Sequence, residues 1–185
     1  MNPRKKGKSL VAYFSRKGKN IVSGAIIDLP VGNTHVVARM IQHATGSDSF
    51  RIEAVHPYPD DYTETTEVAQ KELRDNARPE LTASVENMDA YDVIFLGYPT
   101  WWGTMPVPVF TFLEEYEFAG KTIAPFCTHE GSNLGRSVDD IKVVCPQSTV
   151  LDGLAIRGSE AKRAQNEVSE WLSELGMTER AKKST

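Results

Sequence analysis

The sequence predicts an α/β fold in which helices cover both faces of a doubly wound, five-stranded parallel sheet. Short apolar runs of β-type residues alternate with amphipathic stretches along the 185 residues, and the connections are long enough for parallel pairing. Right-handed crossovers between such strands lead naturally to a doubly wound sheet. The run DVIFLGY at 92–98 is the most apolar, as expected of a central strand buried on both faces.

Each predicted strand is a short apolar run bounded by polar or turn-forming residues. The first run, SLVAYFS, ends at the hydroxyl residue Ser15, and the second is SFRIEAV. TIAPFCT and TVLDGLAI supply the fourth and fifth strands. The predicted strands cover 9–15, 49–55, 92–98, 122–128 and 149–156.

The stretches between the strands have the periodicity of helices with one apolar face. The first places Val37, Met40, Ile41 and Ala44 on that face, whereas the second is highly charged and is expected on the surface. The last ends at Gly176, a usual residue for a helix C-terminus. The predicted helices cover 34–44, 60–76, 107–117, 134–144 and 159–175.

Size and composition narrow the function classes. The length predicts one domain over 1–176 and a frayed polar tail over 177–185. A net charge of −4 gives no general attraction to nucleic acid or anionic membranes. No stretch is apolar enough for a membrane span or a secretory signal. Cys127 and Cys145 lack disulfide or metal-binding spacing, so buried thiols in a cytoplasmic protein are expected.

The loop after the first strand has the features of a phosphate site, because ligands of doubly wound sheets bind beyond the carboxyl ends of the strands. Ser15 leaves this strand, and Gly32, Asn33 and Thr34 open the first helix. Hydroxyl groups and the free amides of a helix N-terminus suit a phosphate. Alternatively, Asn33 or Thr34 caps the helix without binding a ligand.

The loops after the third and fourth strands add an aromatic surface and a flexible backbone. GYPTWWGTMPVP contains adjacent tryptophans, whose flat rings suit stacking on a planar ligand, although either could pack structurally. In THEGSNLG the glycines allow close approach of the backbone, or the loop is an ordinary turn and cap. Tyr58 either reaches the same edge or packs in its own loop. Together the three loops suit a mononucleotide with a large planar ring.

These residues resemble the flavodoxin-like family, in particular members with a tryptophan pair after the third strand. The matching pieces follow in order along nearly the whole chain, and WWG and CTHEGS are fairly specific. They are YFS…GNT at 13–34, EAVHPYPDDY at 53–62, YDVIFLGYPTWWGTMPVPVFTFLE at 91–114, GKTIAPFCTHEGSNLGRSVDDI at 120–141 and LDGLAIRG at 151–158.

The resemblance implies a flavodoxin-like three-layer sandwich with strand order 2-1-3-4-5 and noncovalently bound FMN. Residues 15 and 32–34 would hold the phosphate, and 99–103 would flank the isoalloxazine with one tryptophan stacked on it. Backbone amides of 128–132 would meet the pyrimidine edge. The implied cofactor-binding residues are Ser15, Gly32, Asn33, Thr34, Pro99, Thr100, Trp101, Trp102, Gly103, Thr128, His129, Glu130, Gly131 and Ser132.

Two departures from the family pattern stand out. Residues at about 16–31 interrupt a loop that in the family is short, so we expect one interrupted phosphate loop, whose AIIDL segment adds a short strand or covers the cofactor. Many flavodoxins also carry a tyrosine after the fourth strand. Here His129 is the ring available there, and a lone loop histidine is expected to face solvent.

The resemblance favours an electron carrier that meets a redox partner protein or a small-molecule electron acceptor, as a monomer or homodimer. The alternative is an NAD(P)H-dependent quinone or nitro-compound reductase, which needs a second pocket that Met105–Pro108 could line. Carboxylates such as Glu130 or Asp152 near the flavin would disfavour its anionic reduced form. A flavin-free structural domain is a further alternative.

A phosphoacceptor receiver is a poor match on the same topology. Receivers need an acidic cluster after the first strand and an aspartate after the third. This chain has Ser15 and Pro99-Thr100 at those positions.

Overall fold

The fold is a parallel sheet with helices on both faces, seen in a computed structural model that describes residues 7–178. Short 3-10 helices cover Met88–Ala90 and Gly158–Arg163. The other elements, in chain order, are β1 (Lys8–Tyr13), β2 (Gly18–Val22), β3 (Ala25–Leu29), α1 (Asn33–Thr45), β4 (Asp48–Arg51), α2 (Tyr62–Arg74), β5 (Tyr91–Pro99), α3 (Val107–Glu115), β6 (Thr122–His129), α4 (Ser137–Val144), β7 (Thr149–Val150), β8 (Leu154–Arg157) and α5 (Gln165–Glu174).

The main sheet has the order β4-β1-β5-β6-β7, with β8 also paired to β6, and every pairing in it is parallel. This confirms the predicted order 2-1-3-4-5. The fifth predicted strand is divided, because β7 pairs at Thr122 and Ile123 whereas β8 pairs from Phe126 onward. The gap lies beside Pro125, which has no N–H to contribute to the ladder.

Both faces of the sheet are buried. Along β1, Leu10 and Ala12 belong to one apolar cluster, whereas Val11 and Tyr13 belong to the other. The first cluster packs against α3 and α4, and the second against α1 and α5. Successive side chains of a strand point to opposite faces of the sheet. In a doubly wound sheet helices cover both faces, so both sets of side chains are buried.

The inserted segment folds back on itself as an antiparallel hairpin of β2 and β3. Its two-residue turn, Ser23-Gly24, has φ values of 52° and 80°, as in the type I′ turns that join hairpin strands. The predicted short strand at AIIDL is therefore present as β3. Ile26 is 58% exposed, so the hairpin is not part of the core.

The helices largely follow the sequence pattern. Val37 and Ile41 of α1 are fully buried, and α2 lies at the surface as expected. The last predicted helix is divided into the 3-10 segment Gly158–Arg163 and α5. In the described part of the chain, no helix is both long and apolar enough to cross a lipid bilayer. Most of the predicted polar tail lies outside the described residues.

Candidate functional site

The carboxyl ends of β1, β5 and β6 enclose a cavity of about 420 Å³, here called the first cavity. It includes every predicted site residue except Gly32, Trp102 and Gly103. The lining residues are Ser15, Arg16, Asn20, Ile21, Leu29, Asn33, Thr34, Tyr62, Pro99, Thr100, Trp101, Thr128, His129, Glu130, Gly131, Ser132 and Gly158.

One end of this cavity is formed where the interrupted loop closes again. The Ser15 hydroxyl accepts a hydrogen bond from the His35 backbone N–H at 3.1 Å, in the first turn of α1. Gly32, the N-cap of α1, lies so close that an added Cβ would collide with Ser15 Oγ and lie 2.6 Å from the Arg16 carbonyl oxygen. The two ends of the inserted segment therefore meet, and Ser15 and the start of α1 form one continuous site.

A buried pair of hydroxyl groups joins this end to β6. Thr34 Oγ1 and Thr128 Oγ1 are 2.7 Å apart, and both side chains are buried. Asn33 adds an amide to the same wall. The N-cap Gly32 has no side chain to accept from the first amides of α1. Uncharged hydroxyl and amide groups at the positive end of a helix dipole form an environment that suits an anion.

Glu130 is the acidic side chain in this wall. Its Oε2 accepts a hydrogen bond from the Ser23 backbone N–H at 2.9 Å, at the tip of the hairpin. Its Oε1 is buried and has no hydrogen-bond partner among the described residues. An added Cβ on Gly158 would collide with this oxygen and lie 2.7 Å from Asn33 Nδ2, which places the carboxylate beside the start of α1. Asp152, the other acidic candidate from the sequence, is exposed and does not line the cavity.

The WWG segment is a tight turn closed by two backbone hydrogen bonds between Trp101 and Thr104, of 2.9 and 3.1 Å. Trp102 and Gly103 have φ values of 52° and 77°. A tryptophan in the left-handed region is uncommon and energetically costly. The Gly103 carbonyl accepts from the Arg136 N–H at 2.8 Å, so Gly103 shapes and anchors the turn without lining the first cavity.

The two adjacent tryptophans lie in different environments. Trp101 is half-buried and packs edge-on against Phe14 and Tyr58, with ring centroids 5.3 and 5.1 Å away. Trp102 is 50% exposed, and its indole N–H donates to the Thr66 carbonyl of α2 at 3.0 Å. Trp101 is therefore the aromatic wall of the first cavity, and Tyr58 packs behind it, outside the cavity lining.

The loop after β6 is fixed by its own histidine. His129 is 9% exposed, so the expectation that it faces solvent was wrong. Its Nδ1 accepts from the Gly131 N–H at 2.9 Å, which places the proton of the neutral ring on Nε2. Burial, followed by the nearby charge of Arg157, lowers the pKa of His129. Because Gly131 uses its amide in this bond, that amide already has a partner in the protein.

Hydrogen bonds from Thr100 join the loops after β5 and β6. Its N–H donates to the Thr128 carbonyl at 2.9 Å, and its hydroxyl donates to the Asn133 carbonyl at 2.6 Å. Cys127 is buried beneath the same loop, where burial raises the pKa of its thiol to about 11. Both cysteines are free and buried, as the sequence predicted.

Several residues that line the first cavity were not predicted from the sequence. Arg16 is held by hydrogen bonds to the carbonyls of Pro59 and Asp60, at 2.7 and 2.9 Å, and burial lowers the pKa of its guanidinium. Its position directly after Ser15 was a usable signal. The others depend on tertiary folding, which brings the hairpin and α2 to the cavity. They are Asn20, Ile21, Leu29, Tyr62 and Gly158.

A second cavity of about 420 Å³ adjoins the first. The predicted second pocket along Met105–Pro108 is absent from the described structure, because Met105 and Val107 are core residues, 1% and 3% exposed. The second cavity lies instead between α2 and the WWG turn. Its lining residues are Arg16, Asn20, Tyr62, Thr65, Thr66, Ala69, Thr100, Trp101 and Trp102.

Comparisons with known proteins agree with this architecture. The sequence model of a family described as flavodoxin matches residues 8–175. The crystal structure of a candidate flavoprotein from Bacteroides eggerthii is 29% identical, with a TM-score of 0.75 over 92% of this chain and 99% of that one. A flavoprotein from Lactobacillus acidophilus, solved in complex with FMN, is 22% identical with a TM-score of 0.64 over 89% of this chain and 98% of that one, a similarity of fold alone.

Among curated proteins, flavodoxin 1 of Escherichia coli strain K12 is 30% identical over 109 residues. The match covers 57% of this chain and 48% of that protein. The chain therefore spans about half the length of the curated relatives that it matches.

Proposed function

Because the chain belongs to the flavodoxin family, we propose that it is a redox protein that transfers electrons through noncovalently bound FMN. The cofactor is FMN, which family membership implies. The observation that carries the proposal is the convergence of three loops on one cavity, with an anion-binding end at α1 and the indole of Trp101 on its wall. Both parts of a flavin mononucleotide thus have a suitable environment.

The phosphate would bind at the start of α1. Ser15, Asn33 and Thr34 offer hydroxyl and amide groups, and the helix N-terminus favours negative charge. Gly32 fits this role because a side chain there would collide with Ser15 Oγ. Among the described residues that line this cavity, Glu130 is the one acidic group, and its carboxylate opposes an anion because it lies beside Asn33.

The isoalloxazine ring would lie against Trp101, with the loop after β6 on the other side of the cavity. When bound, FMN supplies the electron chemistry, and the protein sets its orientation and electrostatic surroundings. Glu130 would disfavour added negative charge on the ring by about 1–4 kcal/mol at a separation of a few ångströms. The residue therefore lowers the reduction potential of the bound cofactor.

The proposed redox protein is either an electron carrier or a reductase, and the two differ in the molecule that accepts the electrons. An electron carrier would meet a redox partner protein, as the resemblance favours. A reductase would reduce a small molecule directly, and the second cavity beside Trp101 supports this second candidate. Steady oxidation of NADH or NADPH with a quinone, without any partner protein, selects the reductase. The oligomeric state and the cytoplasmic location stay predictions from the sequence.

Absorbance spectroscopy tests the shared part of the proposal. The purified protein is mixed with excess FMN and passed through a desalting column. We expect the protein fraction to retain flavin absorbance and to show quenched tryptophan fluorescence. A colourless protein with unquenched fluorescence would refute FMN binding and leave the fold assignment intact.

A further inference from the structure

The second cavity has the position and the chemistry of a substrate site. We propose that it binds a small uncharged quinone, which is reduced by FMN bound in the first cavity. This inference rests on the proposed FMN site and names its acceptor.

The two cavities share a wall rather than lying on separate surfaces. Arg16, Asn20, Tyr62, Thr100 and Trp101 line both of them. A ring in the second cavity would therefore lie next to a ring in the first cavity, close to Trp101. Electron or hydride transfer needs the donor and acceptor to be held near each other.

The cavity is held in shape by contacts from two sides. The indole N–H of Trp102 donates to the Thr66 carbonyl at 3.0 Å, which fixes the WWG turn to α2. Trp102 holds this position with a φ of 52°, an unfavourable backbone conformation for a large side chain. Strained residues of this kind cluster at functional sites, where the surrounding structure holds them in place. Arg16 fixes the hairpin side through its bonds to Pro59 and Asp60.

The lining favours a planar, uncharged molecule. Trp101, Trp102 and Tyr62 supply aromatic surface, and threonine side chains supply small polar groups. Among the described residues of this lining, Arg16 is the single charged one, and its guanidinium already donates to backbone carbonyls. A nicotinamide dinucleotide would need donors for its pyrophosphate, which this lining does not group together.

A quinone needs stacking surface and a donor for each carbonyl oxygen. The hydroxyls of Thr65, Thr66 and Thr100 already donate to backbone carbonyls. The donors that the described lining offers are therefore the Tyr62 hydroxyl and the Trp101 indole N–H.

The reaction balances with reduced FMN as the reductant. Each quinone takes two electrons from the dihydroflavin and two protons from water, and the dihydroflavin releases its two protons to water. Its two carbonyl groups become hydroxyl groups, and the flavin returns to its oxidised form. NADH, NADPH or a partner reductase replaces the electrons.

Direct binding tests the proposal without turnover. The oxidised, FMN-loaded protein is dialysed to equilibrium against 2-methyl-1,4-naphthoquinone. Thr66→Phe places a ring in the second cavity and keeps the backbone carbonyl that accepts from Trp102. Val68→Phe is the matched control, because Val68 is 38% exposed on the same helix and lines neither cavity. We expect Thr66→Phe to weaken quinone binding at least tenfold, Val68→Phe to change it less than twofold, and FMN affinity to stay constant in both.

Each other outcome has a distinct meaning. Unchanged quinone binding by Thr66→Phe, no quinone binding by the FMN-loaded wild type, or displacement of the quinone by equimolar NADH overturns the quinone site. Loss of FMN from Thr66→Phe but not from Val68→Phe also overturns it, because the second cavity is then part of the flavin site. A wild type that binds no FMN refutes the proposed function itself. If the circular dichroism spectrum of Thr66→Phe is altered, the smaller Thr66→Leu replaces it, with about threefold weaker quinone binding expected.

Discussion

Ser15 and residues 32–34 form the end of the first cavity where we propose that an anion binds, here called the anion-binding end. This end and the hairpin beside it are neighbours in the chain but are built in opposite ways. The anion-binding end depends on distant contacts, such as the buried pair Thr34 and Thr128, which are 94 residues apart. The hairpin of β2 and β3 pairs with itself and exposes apolar side chains such as Ile26. It reaches the rest of the site through a few bonds, including those of Arg16 and Ser23.

This difference shows how a loop can carry an inserted segment while its two ends still meet. Ser15 and Gly32 touch although the hairpin separates them in sequence. Closing a longer loop costs only slightly more entropy than closing a short one. The hairpin also folds on its own turn, so it does not need the contacts that hold the anion-binding end. We therefore expect affinity to depend on the anion-binding end and coverage of the cofactor to depend on the hairpin.

The same substitution in the two regions should have very different effects. Gly32→Ala should weaken FMN binding about 100-fold, since the new Cβ displaces Ser15 or α1; this corresponds to about 2.7 kcal/mol. Gly24→Ala adds the same group in the hairpin turn, where the new Cβ has no atom within 4 Å and the φ of 80° strains only the turn itself. It should change FMN affinity less than twofold, as measured by flavin fluorescence titration. Equal losses in both variants would contradict the division between the regions.

Removing the hairpin tests how much it contributes to FMN affinity and to covering the cofactor. Replacing residues 18–29 by two glycines removes Asn20, Ile21 and Leu29 from the cavity wall. We expect FMN affinity to fall about tenfold, roughly 1.4 kcal/mol, and quenching of the bound flavin by iodide to increase. Complete loss of FMN would mean that the hairpin is part of the anion-binding end. Unchanged affinity and unchanged quenching would mean that it covers nothing.

Glu130 connects the two regions, because one carboxylate oxygen binds Ser23 and the other lies beside Asn33. Glu130→Gln keeps an acceptor for Ser23 and removes the charge. We expect about threefold tighter FMN binding and a reduction potential raised by about 40–170 mV for a one-electron step, which corresponds to about 1–4 kcal/mol. The control is Asp152→Asn, because Asp152 is exposed and outside the cavity. An equal shift in that control would assign the effect to net charge and not to the site.

The smallest expected effect is the contribution of His129, in the loop after β6, to the pH dependence of stability. Burial lowers the pKa of His129, so the unfolded chain takes up a proton before the folded one does. Stability should fall as the pH drops below the ordinary histidine pKa of about 6.5. In thermal unfolding, His129→Gln should reduce the decrease in Tm between pH 7 and pH 5 by about 2–4 °C.

The sequence predicted the elements whose signal is local. The apolar run of β5 and the helical face of Val37 and Ile41 are buried as their patterns indicated. The division of the fifth strand beside Pro125 was less visible, because it depends on which strand lies next to that proline. Exposure of Trp102 and burial of His129 were also not determined by residue type. Both follow from a turn geometry and from a histidine–backbone hydrogen bond that spans two residues.

In the candidate site, too, the sequence predicted only the features that a local pattern encodes. The strand-end loops were identified because parallel strands carry their ligands at one edge of the sheet. Arg16, Tyr62 and the hairpin residues reach the cavity only through tertiary contacts that no local pattern encodes. The second cavity was expected along Met105–Pro108, but Met105 and Val107 are buried in the core. An apolar segment beside a site is as suitable for burial as for lining a pocket.

We propose that the start of α1 binds the phosphate of FMN. Its most direct test is to titrate the flavin-free protein with FMN and with riboflavin, which differ in that phosphate, and to repeat both titrations with Gly32→Ala. We expect FMN to bind at least about 100-fold more tightly than riboflavin, by about 2.7 kcal/mol, and Gly32→Ala to remove most of this difference. Equal affinities for the two flavins in the wild type would contradict it.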